Sequence, residues 1–293
     1  MLKLIASDMD GTLLNNDHKI SNYNLQLIKE AQSKGIEFVI ATGRQYEDVK
    51  PVLDENNLVC DCIVNNGAEF RNKDGEILAT INIDKDTVKM ILEKIFSAGL
   101  AAELYTNEGI FTTNTLEESI VGLAYRLQSF EKGLSFEEAM DKAKEHNYSS
   151  KLKFIKNIDL FLNSSIEIRK IITFYYDYDV IKKVKEDISS SMSNLAVLSS
   201  FRDNIEITNI KAQKGFILGK VIDNKSISRD DVVVFGDSFN DFSLFTEFEN
   251  SYAMENAIPE IKEIATFIAD TNHNDGVGKC IADLIKDIKI TNI

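Results

Sequence analysis

The sequence predicts an α/β protein whose doubly wound, parallel-sheet core domain is interrupted by an inserted α+β domain. Three observations support this fold class. Short apolar segments of strand length alternate with amphipathic helical segments at the start of the chain, and the same alternation returns in its last third. Between these two parts the sequence changes to a mixed succession of strand and helix patterns. The length of 293 residues suits about two domains.

The first core segment is expected to have a β-α-β-α-β order followed by a hairpin. Strands are predicted where apolar runs are short, and helices where apolar residues recur on one stripe. The hairpin is predicted because Asp74 and Gly75 form a turn signal between two apolar runs. The expected elements are strands at residues 2–6, 36–41 and 62–65 and helices at residues 21–34 and 45–55.

The remaining elements divide into an insert and a second core segment. In the insert, helices are predicted at residues 84–98, much of 115–146 and 180–189, and strands at residues 101–105, 110–113, 168–175, 195–200 and 204–208. In the second core segment, helices are predicted at residues 215–221, 240–245, 258–264 and 276–288, and strands at residues 232–235, 252–254 and 267–268. The core is therefore assigned to residues 1–81 and 210–293 and the insert to residues 82–209, with a frayed tail from residue 289.

The composition excludes several classes of partner. Lys and Arg number 33 and Asp and Glu 47, which gives a net charge of −14 and no positive field for nucleic acid or an anionic membrane. No window approaches the roughly 18 apolar residues of a membrane span. The low count of three cysteines favours a reducing compartment, so a cytoplasmic protein is expected. A small phosphorylated molecule is compatible with this charge because it responds to a local site, and the oligomeric state is left open.

Two aspartates follow the first predicted strand. Asp8 and Asp10 stand at the carboxyl end of that strand, where parallel sheets bind their ligands. Burying two unpaired carboxylates is costly, whereas a shared Mg²⁺ ion would neutralise them. Asp8 is then a candidate nucleophile toward phosphorus, and Asp10 is a candidate general acid and base. The alternative is an acidic turn after a strand.

A second acidic cluster follows the strand predicted at residues 232–235. Asp237 and Asp241 lie one helical turn apart, so both side chains can approach one cation. Asn240 between them supplies an amide toward a phosphate. Carboxylates from two strand ends would repel one another strongly without a cation. The two acidic clusters together are therefore a more specific signal for Mg²⁺ than either one by itself.

Three further segments carry weaker signals for phosphate binding. They are Thr42, Gly43 and Arg44 after the second strand, Asn66 and Gly67 after the third strand, and Lys214 at the start of a helix. Hydroxyl, amide, guanidinium and ammonium groups all bind phosphate oxygens. Taken one at a time, these segments are better explained as a helix cap, a turn and a solvated lysine.

Taken in order, these segments resemble the motifs of haloacid dehalogenase superfamily phosphatases. The motifs are Asp8-Met9-Asp10-Gly11-Thr12, Thr42-Gly43-Arg44, Asn66-Gly67-Ala68, Lys214-Gly215, Gly236-Asp237-Ser238-Phe239-Asn240-Asp241 and Asn274-Asp275-Gly276-Val277. Their order is most similar to that of the Cof-type members, which carry a large α/β cap between the second and third motifs. The resemblance covers nearly the whole chain and implies that the insert is an α+β cap domain.

The resemblance implies a Mg²⁺-dependent phosphatase of small phosphorylated metabolites, such as sugar phosphates, that works through an aspartyl-phosphate. Asp8 would be the nucleophile and Asp10 the general acid and base. The implied ligands of Mg²⁺ are Asp8, the backbone carbonyl of Asp10, Asp237 and, in support, Asp241. Thr42 and Lys214 would bind the transferring phosphoryl group. Asn240 would contact phosphate, and the entrance would be lined by Gly43, Arg44, Asn66 and Gly67, while the cap would select the substrate.

The sequence departs from the family pattern at two places outside the chemistry. Residues 208–213 lack the proline and glycine often found before the motif lysine, and Glu255 stands where a smaller or neutral residue is usual. Both departures are expected to affect loop shape and the choice of substrate more than activity. Within the insert, the aromatic run at residues 174–178 is interpreted as part strand core and part exposed edge, with a substrate-facing surface as the alternative.

Three other functions compete with hydrolysis. A phosphomutase would pass the same phosphoryl group from Asp8 to another hydroxyl of the substrate. A phospho-acceptor signalling domain also places an aspartate at a strand end, but the insert and the chain length argue against it. A phosphate-binding protein without turnover is disfavoured because Asp8, Asp10, Lys214 and Asp237 are all present. Release of inorganic phosphate would separate hydrolysis from the phosphomutase reaction, and a lasting phosphorylated Asp8 would favour the signalling domain.

Overall fold

A computed structural model describes residues 2–130, 133–200 and 203–288 of the chain. The chain divides into two compact units. One unit, called the core below, consists of Met1–Ile81 and Lys211–Ile293. The other unit, called the insert, is the continuous segment Asn82–Ile210.

The first segment of the core alternates strands and helices, as its apolar pattern predicts. Ser21 caps the first helix because its side chain accepts a hydrogen bond from the backbone N–H of Asn24. Pro51 lies inside the second helix without ending it. The elements are β1 (Leu4–Ser7), α1 (Asn22–Ser33), β2 (Glu37–Ala41), α2 (Tyr46–Asn56), β3 (Asp61–Val64), β4 (Glu69–Arg71) and β5 (Ile77–Thr80).

The insert contains more elements than its sequence predicts. They are α3 (Lys85–Ser97), β6 (Glu103–Thr106), β7 (Gly109–Thr112), α4 (Leu116–Phe130), α5 (Phe136–Glu145), β8 (Leu152–Phe154), α6 (Ile158–Leu162), β9 (Ile168–Phe174), α7 (Tyr178–Ser191), β10 (Leu195–Leu198) and β11 (Asn204–Asn209). The helical stretch predicted at 115–146 contains two helices, because Ser135 and Glu138 form a capping box that begins α5. Sequence patterns missed β8 and α6 because both are too short to show a period.

The second segment of the core restores the alternation. Its elements are α8 (Lys214–Asn224), β12 (Val232–Gly236), α9 (Phe242–Glu247), β13 (Ser251–Met254), α10 (Pro259–Ile264), β14 (Phe267–Ala269) and α11 (Gly276–Ile285). The helix predicted at 240–245 starts as a single tight turn, Phe239–Asp241, ahead of α9. The tail predicted to fray, from residue 289, lies outside the described residues.

The described core strands form one sheet in the order β14-β13-β12-β1-β2-β3-β4-β5. The strands from β14 to β3 are parallel, and the predicted hairpin of β4 and β5 extends the sheet in antiparallel fashion. The chain moves outward from β1 to β3 on one side and from β12 to β14 on the other, so the winding reverses between β1 and β12. Such a reversal opens a ligand-binding crevice at the carboxyl ends of the two strands. The predicted doubly wound α/β core is confirmed.

The centre of this sheet is strongly apolar. Leu4 and Ile5 of β1 and Val234 and Phe235 of β12 have no exposed surface. Around the sheet, α1 packs against α11 and α8 packs against α9. Charged groups that follow these strands cannot enter the apolar layer without a large cost. They therefore gather at the edge of the sheet where the strands end.

The insert has its own sheet, which is mostly antiparallel. Within the described residues its strand order is β10-β11-β9-β6-β7-β8, and the pair of β7 and β8 is parallel. One face carries apolar residues such as Leu104 and Ile171, which join the cluster formed with α3 and α7. Alternate residues point to the other face. There, Glu103 of β6 and Glu206 of β11 are the cross-strand neighbours of Ile172 in β9. The insert is therefore the predicted α+β unit.

Two further features concern the helices and the cysteines. In the part of the chain that the structure describes, no helix combines the length and the apolar character needed to cross a membrane. Cys60 and Cys62 are buried free thiols, and Cys280 is a partly exposed one.

Candidate active site

Asp8 and Asp237 lie side by side at the carboxyl ends of β1 and β12. The two strands pair with Ser7 opposite Phe235, and the backbone N–H of Asp8 donates to the carbonyl of Phe235 at 3.1 Å. Asp241 reaches the same point from the turn after β12. One carboxylate oxygen from each of the three aspartates lies within 4.8 Å of the other two. The fold thus brings together carboxylates from opposite ends of the sequence.

Lys214 neutralises part of this charge. It is the first residue of α8 and has no exposed surface. Its Nζ donates hydrogen bonds to Oδ1 of Asp8 and to Oδ1 of Asp241, both at 2.7 Å. When all four groups are ionised, three carboxylates share one ammonium group. An excess of negative charge therefore remains at the end of the two central strands.

Asp241 also shapes the turn that carries Asp237. Its second oxygen, Oδ2, accepts hydrogen bonds from the backbone N–H groups of Asp237 at 2.9 Å and Ser238 at 3.1 Å. Gly236 allows this close turn, because a Cβ atom there would lie 2.7 Å from the side chain of Asp241. Asp241 is therefore both a partner of Lys214 and a support for the position of Asp237.

Two hydroxyl groups hold Asp237 in place. Thr12 Oγ1 donates to its Oδ1 at 3.0 Å, and Ser238 Oγ donates to its Oδ2 at 2.9 Å. The backbone after β1 approaches closely here, since a Cβ atom on Gly11 would lie 2.5 Å from Oδ2 of Asp237. Gly11 also has a φ angle of +76°, which disfavours other residues. This segment can therefore contact the second acidic cluster only with glycine at that position.

Asp10 lies outside the three-carboxylate cluster found among the described residues. Its carboxylate accepts two hydrogen bonds from the guanidinium group of Arg44, from Nε to Oδ2 at 2.8 Å and from Nη2 to Oδ1 at 2.6 Å. The side chains of Asp10 and Arg44 are 39% and 26% exposed, whereas that of Asp8 is 6% exposed. Arg44, predicted to line the entrance, thus has its guanidinium group bound to Asp10.

The loops after β2 and β3 are joined by backbone hydrogen bonds. The N–H of Asn65 donates to the carbonyl of Arg44 at 2.8 Å, and the N–H of Asn66 donates to the carbonyl of Thr42 at 3.0 Å. The buried side chain of Asn66 accepts a hydrogen bond from Nδ2 of Asn240 at 3.3 Å. Thr42, Asn66 and Asn240, which come from three separate motifs, therefore form one connected group, with Gly43 in the same loop as Thr42.

Two glycines allow α8 to carry Lys214 close to these loops. A Cβ atom on Gly67 would lie 2.8 Å from the backbone of Gln213, the residue before Lys214. A Cβ atom on Gly215 would lie 2.0 Å from the carbonyl oxygen of Ser243. The N–H of Gly215 also donates to Oγ of Ser243 at 2.9 Å. A larger residue at either glycine would displace the start of α8 and with it the buried ammonium group.

Burial and mutual repulsion govern protonation in the cluster. Burial raises the pKa of Asp8 well above its usual range, with Lys214 opposing the rise and Asp241 adding to it. Burial, helped by the charge of Asp241, raises the pKa of Asp237 to about 7. Burial lowers the pKa of Lys214, but the two carboxylates that bind its ammonium group outweigh this effect and raise that pKa above its ordinary value. The cluster therefore holds protons that free aspartates would release.

The donor set fits a hard divalent cation. Carboxylate oxygens from Asp8, Asp237 and Asp241 come within reach of a single ion, and oxygen donors of this kind suit Mg²⁺. A divalent cation would offset the excess negative charge and favour the ionised carboxylates. The side chain of Asp10 is engaged with Arg44, so any ligand from Asp10 would be its backbone carbonyl.

Sequence reasoning missed several residues that support the site. The motif that contains Thr12 does not predict the contact of its hydroxyl group with Asp237. Asn256 donates from Nδ2 to the carbonyl of Gly11 at 2.7 Å, and it directly follows the unusual Glu255. Single threonine and asparagine side chains form many kinds of local hydrogen bond with the backbone. Their positions in the sequence therefore give no signal for this role.

The fold and the site together define an α/β enzyme with an acidic centre at the carboxyl edge of a parallel sheet. The family model for haloacid dehalogenase-like hydrolases matches residues 5–281, and the chain belongs to this family. The resemblance deduced from the motifs is therefore confirmed.

Known proteins resemble the chain over nearly all of its length. The 5-amino-6-(5-phospho-D-ribitylamino)uracil phosphatase YwtE of Bacillus subtilis (strain 168) is 31% identical over 284 residues, which cover 97% of this chain and 98% of that protein. Phosphatase YwpJ of the same organism is 30% identical over 289 residues, which cover 97% of this chain and 100% of that protein. The solved structure of a haloacid dehalogenase-like hydrolase from B. subtilis has a TM-score of 0.85 at 28% identity. The match covers 97% of this chain and 100% of that one. The predicted enzyme class, a phosphatase of this superfamily, is confirmed.

Proposed function

We propose that the protein is a Mg²⁺-dependent phosphatase that hydrolyses small phosphorylated metabolites, such as sugar phosphates, through an aspartyl-phosphate on Asp8. The observation that carries the proposal is the convergence of Asp8, Asp237 and Asp241 beside the ammonium group of Lys214. The similarity to phosphatases supports phosphate esters as substrates. The compound in the name of the YwtE relative is itself a small phosphorylated metabolite.

Asp8 is the nucleophile in this proposal. A carboxylate oxygen of Asp8 forms a bond to phosphorus while the bond from phosphorus to the leaving oxygen of the substrate breaks. Water then attacks the phosphorus of the aspartyl-phosphate, the bond to Asp8 breaks, and inorganic phosphate leaves. The hydrogen bond from Lys214 supports this role because it fixes the orientation of a buried carboxylate.

Asp10 is the general acid and base. It gives a proton to the leaving oxygen in the first step and accepts a proton from the attacking water in the second. Its partial exposure supports access to a substrate. Because Arg44 binds both oxygens of Asp10, we assign Arg44 a positioning role for Asp10 in addition to its place at the entrance.

The residues that would hold Mg²⁺ are Asp8, Asp237 and Asp241, together with the backbone carbonyl of Asp10. When bound, the ion would neutralise charge on the transferring phosphoryl group. The chain adds positive charge and hydrogen-bond donors from the adjoining loops and from the start of α8. The proposed phosphate-binding and entrance residues are Thr42, Gly43, Arg44, Asn66, Gly67, Lys214 and Asn240.

Catalysis and substrate selection are assigned to different units. The residues with proposed catalytic roles all lie in the core, Met1–Ile81 and Lys211–Ile293. The insert, Asn82–Ile210, is assigned the selection of substrate, because it carries its own cavity and a polar sheet face. We keep the cytoplasm as the expected compartment, in accord with three free thiols.

Phosphate release tests the proposed reaction. The protein is incubated with a panel of phosphorylated sugars, nucleotides and cofactors, once with Mg²⁺ and once with EDTA. We expect at least one class of small ester to release inorganic phosphate with Mg²⁺ and no release with EDTA. Transfer of the phosphoryl group to another substrate hydroxyl, without release, would indicate a phosphomutase and contradict the proposal.

Asp8→Asn is expected to abolish turnover, because a carboxamide is too weak a nucleophile to form the phosphorylated intermediate. Circular dichroism checks that the variant is folded. Asp17→Asn is the matched control, since Asp17 is exposed and stands outside the cluster, and it should keep full activity. Normal turnover by Asp8→Asn would refute the assignment of the nucleophile.

Asp10→Asn is expected to lower turnover by roughly 10²–10⁴-fold, the usual contribution of a general acid or base. The loss should be larger for sugar phosphates than for p-nitrophenyl phosphate, because nitrophenolate leaves without needing a proton. Steady-state rates on the two esters measure this difference. Equal losses on both esters would argue that Asp10 has no acid role.

A further inference from the structure

The motif Asn274-Asp275-Gly276-Val277 has no role in the chemistry proposed for the core. It leads into α11, which packs against the turn Met9–Leu13 after β1. This turn and Leu14 are called the Asp10 loop below. Three asparagine side chains, from three separate segments, donate hydrogen bonds to carbonyl groups of the Asp10 loop. Two of these asparagines have a structural explanation, and the third does not.

Two of the asparagines satisfy buried backbone groups. Asn24 of α1 donates from Nδ2 to the carbonyl of Leu13 at 3.4 Å, and Asn272 donates from Nδ2 to the carbonyl of Leu14 at 2.8 Å. Both asparagines and both leucines are buried. A buried carbonyl group without a partner is costly. The stability of the fold is therefore a sufficient reason for these two hydrogen bonds.

Asn256 is the third asparagine, and its hydrogen bond is of another kind. Its Nδ2 donates to the carbonyl of Gly11 at 2.7 Å, although Asn256 is exposed and Gly11 is half-buried. Water can satisfy a carbonyl group at the surface, so the fold would lose little without this bond. The bond has a different consequence, which is to fix the direction of the peptide group between Gly11 and Thr12.

Gly11 needs such a bond because glycine is the residue that rotates most freely. Its φ angle of +76° and its close approach to Asp237 require glycine at this position. On one side of Gly11 stands Asp10, and on the other stands Thr12, whose hydroxyl group is held by Asp237. A rotation at Gly11 would therefore move Asp10 relative to the acidic cluster, and the bond from Asn256 opposes that rotation.

The side chain of Asn256 is itself held in one orientation. The backbone N–H of Asn272 donates to its Oδ1 at 2.9 Å, so both ends of the amide group are engaged. The turn that carries Asn272 depends on the glycine of the last motif, because a Cβ atom on Gly276 would lie 2.1 Å from the carbonyl oxygen of Asp270. The motif before α11 thus reaches the Asp10 loop through Asn272 and Asn256.

We propose that Asn256 is a positioning residue for Asp10, which holds the Gly11 peptide group so that the carboxyl group of Asp10 meets the leaving oxygen of the substrate. Arg44 fixes the side chain of Asp10, and Asn256 fixes the backbone beside it. The inference rests on the proposed function, since it takes Asp10 as the general acid. Loss of Asn256 should therefore impair the transfer of a proton to the leaving group.

Hydrolysis of phenyl phosphate and p-nitrophenyl phosphate with Mg²⁺ tests the proposal. The two esters have similar shapes, but phenolate is the poorer leaving group and depends more on the proton. The ratio kcat/KM is measured because it includes the departure of the leaving group. For Asn256→Ala we expect a loss of about tenfold to hundredfold on phenyl phosphate, the cost of a misplaced catalytic group, and of no more than about threefold on p-nitrophenyl phosphate. Equal losses on the two esters would overturn the proposal.

Asn250→Ala is the matched control. Its side chain also donates from Nδ2 to a backbone carbonyl, that of Asp230 at 2.9 Å, but it stands before β13, at the edge of the sheet away from the acidic cluster. This variant should keep the kcat/KM of the parent protein on both esters. Circular dichroism and urea unfolding should show both variants folded, since both hydrogen bonds lie at the surface. The same ester-dependent loss in Asn250→Ala would contradict the assignment.

A double substitution tests whether Asn256 acts through Asp10. When Asp10→Asn has already removed the acid, Asn256→Ala should lower kcat/KM on phenyl phosphate by no more than about twofold further, because residues that act as a unit are not additive. Losses that multiply in full would overturn the proposal.

The single variant Asp10→Asn separates the two possible failures. If its losses on the two esters are equal, the acid role of Asp10 is wrong, and the proposed function and the positioning role fail together. If Asp10→Asn distinguishes the esters and Asn256→Ala does not, only the positioning role of Asn256 is wrong.

Discussion

Buried charges are arranged differently in the core and in the insert. In the core, three carboxylates lie close together, and two of them, Asp8 and Asp241, accept hydrogen bonds from the ammonium group of Lys214. In the insert, two basic groups each lie beside a carboxylate, Lys170 beside Glu206 at 3.1 Å and Arg126 beside Glu103 at 3.3 Å. One-to-one pairing offsets much of the cost of burial, whereas an unbalanced cluster favours a further cation.

The comparison distinguishes the ion pairs of the insert from the candidate active site of the core. In the insert, Lys170 of β9 reaches Glu206 of β11, and Arg126 reaches Glu103 of β6 from α4. In the core cluster, burial raises the pKa of Asp237 to about 7, and the neighbouring charge of Asp241 adds to the rise. Excess negative charge, in addition to burial, therefore distinguishes the core cluster from the ion pairs of the insert. Three measurements test this distinction between the two units.

Lys214→Met should have the largest effect on stability. Without metal at pH 8, the variant should lose about 3–5 kcal/mol in its free energy of unfolding, because Asp8 and Asp241 lose their buried partner. Mg²⁺ should restore part of this loss by supplying positive charge to the same carboxylates. Urea unfolding in EDTA and in Mg²⁺ measures both effects. If the variant is as stable as the parent protein in EDTA, the distinction between the core cluster and the ion pairs of the insert is contradicted.

Arg126→Met in the insert should cost less, about 1–3 kcal/mol, because it leaves Glu103 without one hydrogen-bond partner. Mg²⁺ should not restore this loss, since the balanced pair offers no cluster of carboxylates. The same urea experiment measures it. Arg229→Met is the control, because Arg229 is 45% exposed in its ion pairs and should change stability by less than about 1 kcal/mol. Recovery of Arg126→Met in Mg²⁺ would contradict the distinction.

The smallest effect is expected from pH in the absence of metal. The pKa of Asp237 is about 7 in the folded protein against an ordinary value of 3.8, so between these values the folded state binds more protons than the unfolded state. Stability therefore falls as pH rises through this range. In EDTA the protein should be less stable at pH 8 than at pH 5.5, by on the order of 1 kcal/mol. Addition of Mg²⁺ should reduce this difference in stability between the two pH values. The substitution Asp237→Asn should also reduce it, because it removes the titrating carboxyl group.

Much of the fold and part of the site follow from local sequence. Apolar runs at residues 36–41 and 232–235 predict buried strands because only a covered sheet accepts such runs on both faces. The carboxyl ends of parallel strands share one edge, so aspartates that follow two central strands are expected to meet there. That rule is sufficient to bring Asp8 and Asp237 together without any coordinates.

The sequence by itself determined the α/β class, the position of the insert and the acidic ends of the central strands, because each depends on short-range pattern and strand direction. Only the tertiary structure decided that Arg44 binds Asp10, that Lys214 lies between Asp8 and Asp241, and that the insert encloses a cavity. These outcomes depend on which side chains the folded elements bring within about 3 Å of one another. No periodicity along the chain carries that information, since each partner is chosen by packing between distant segments.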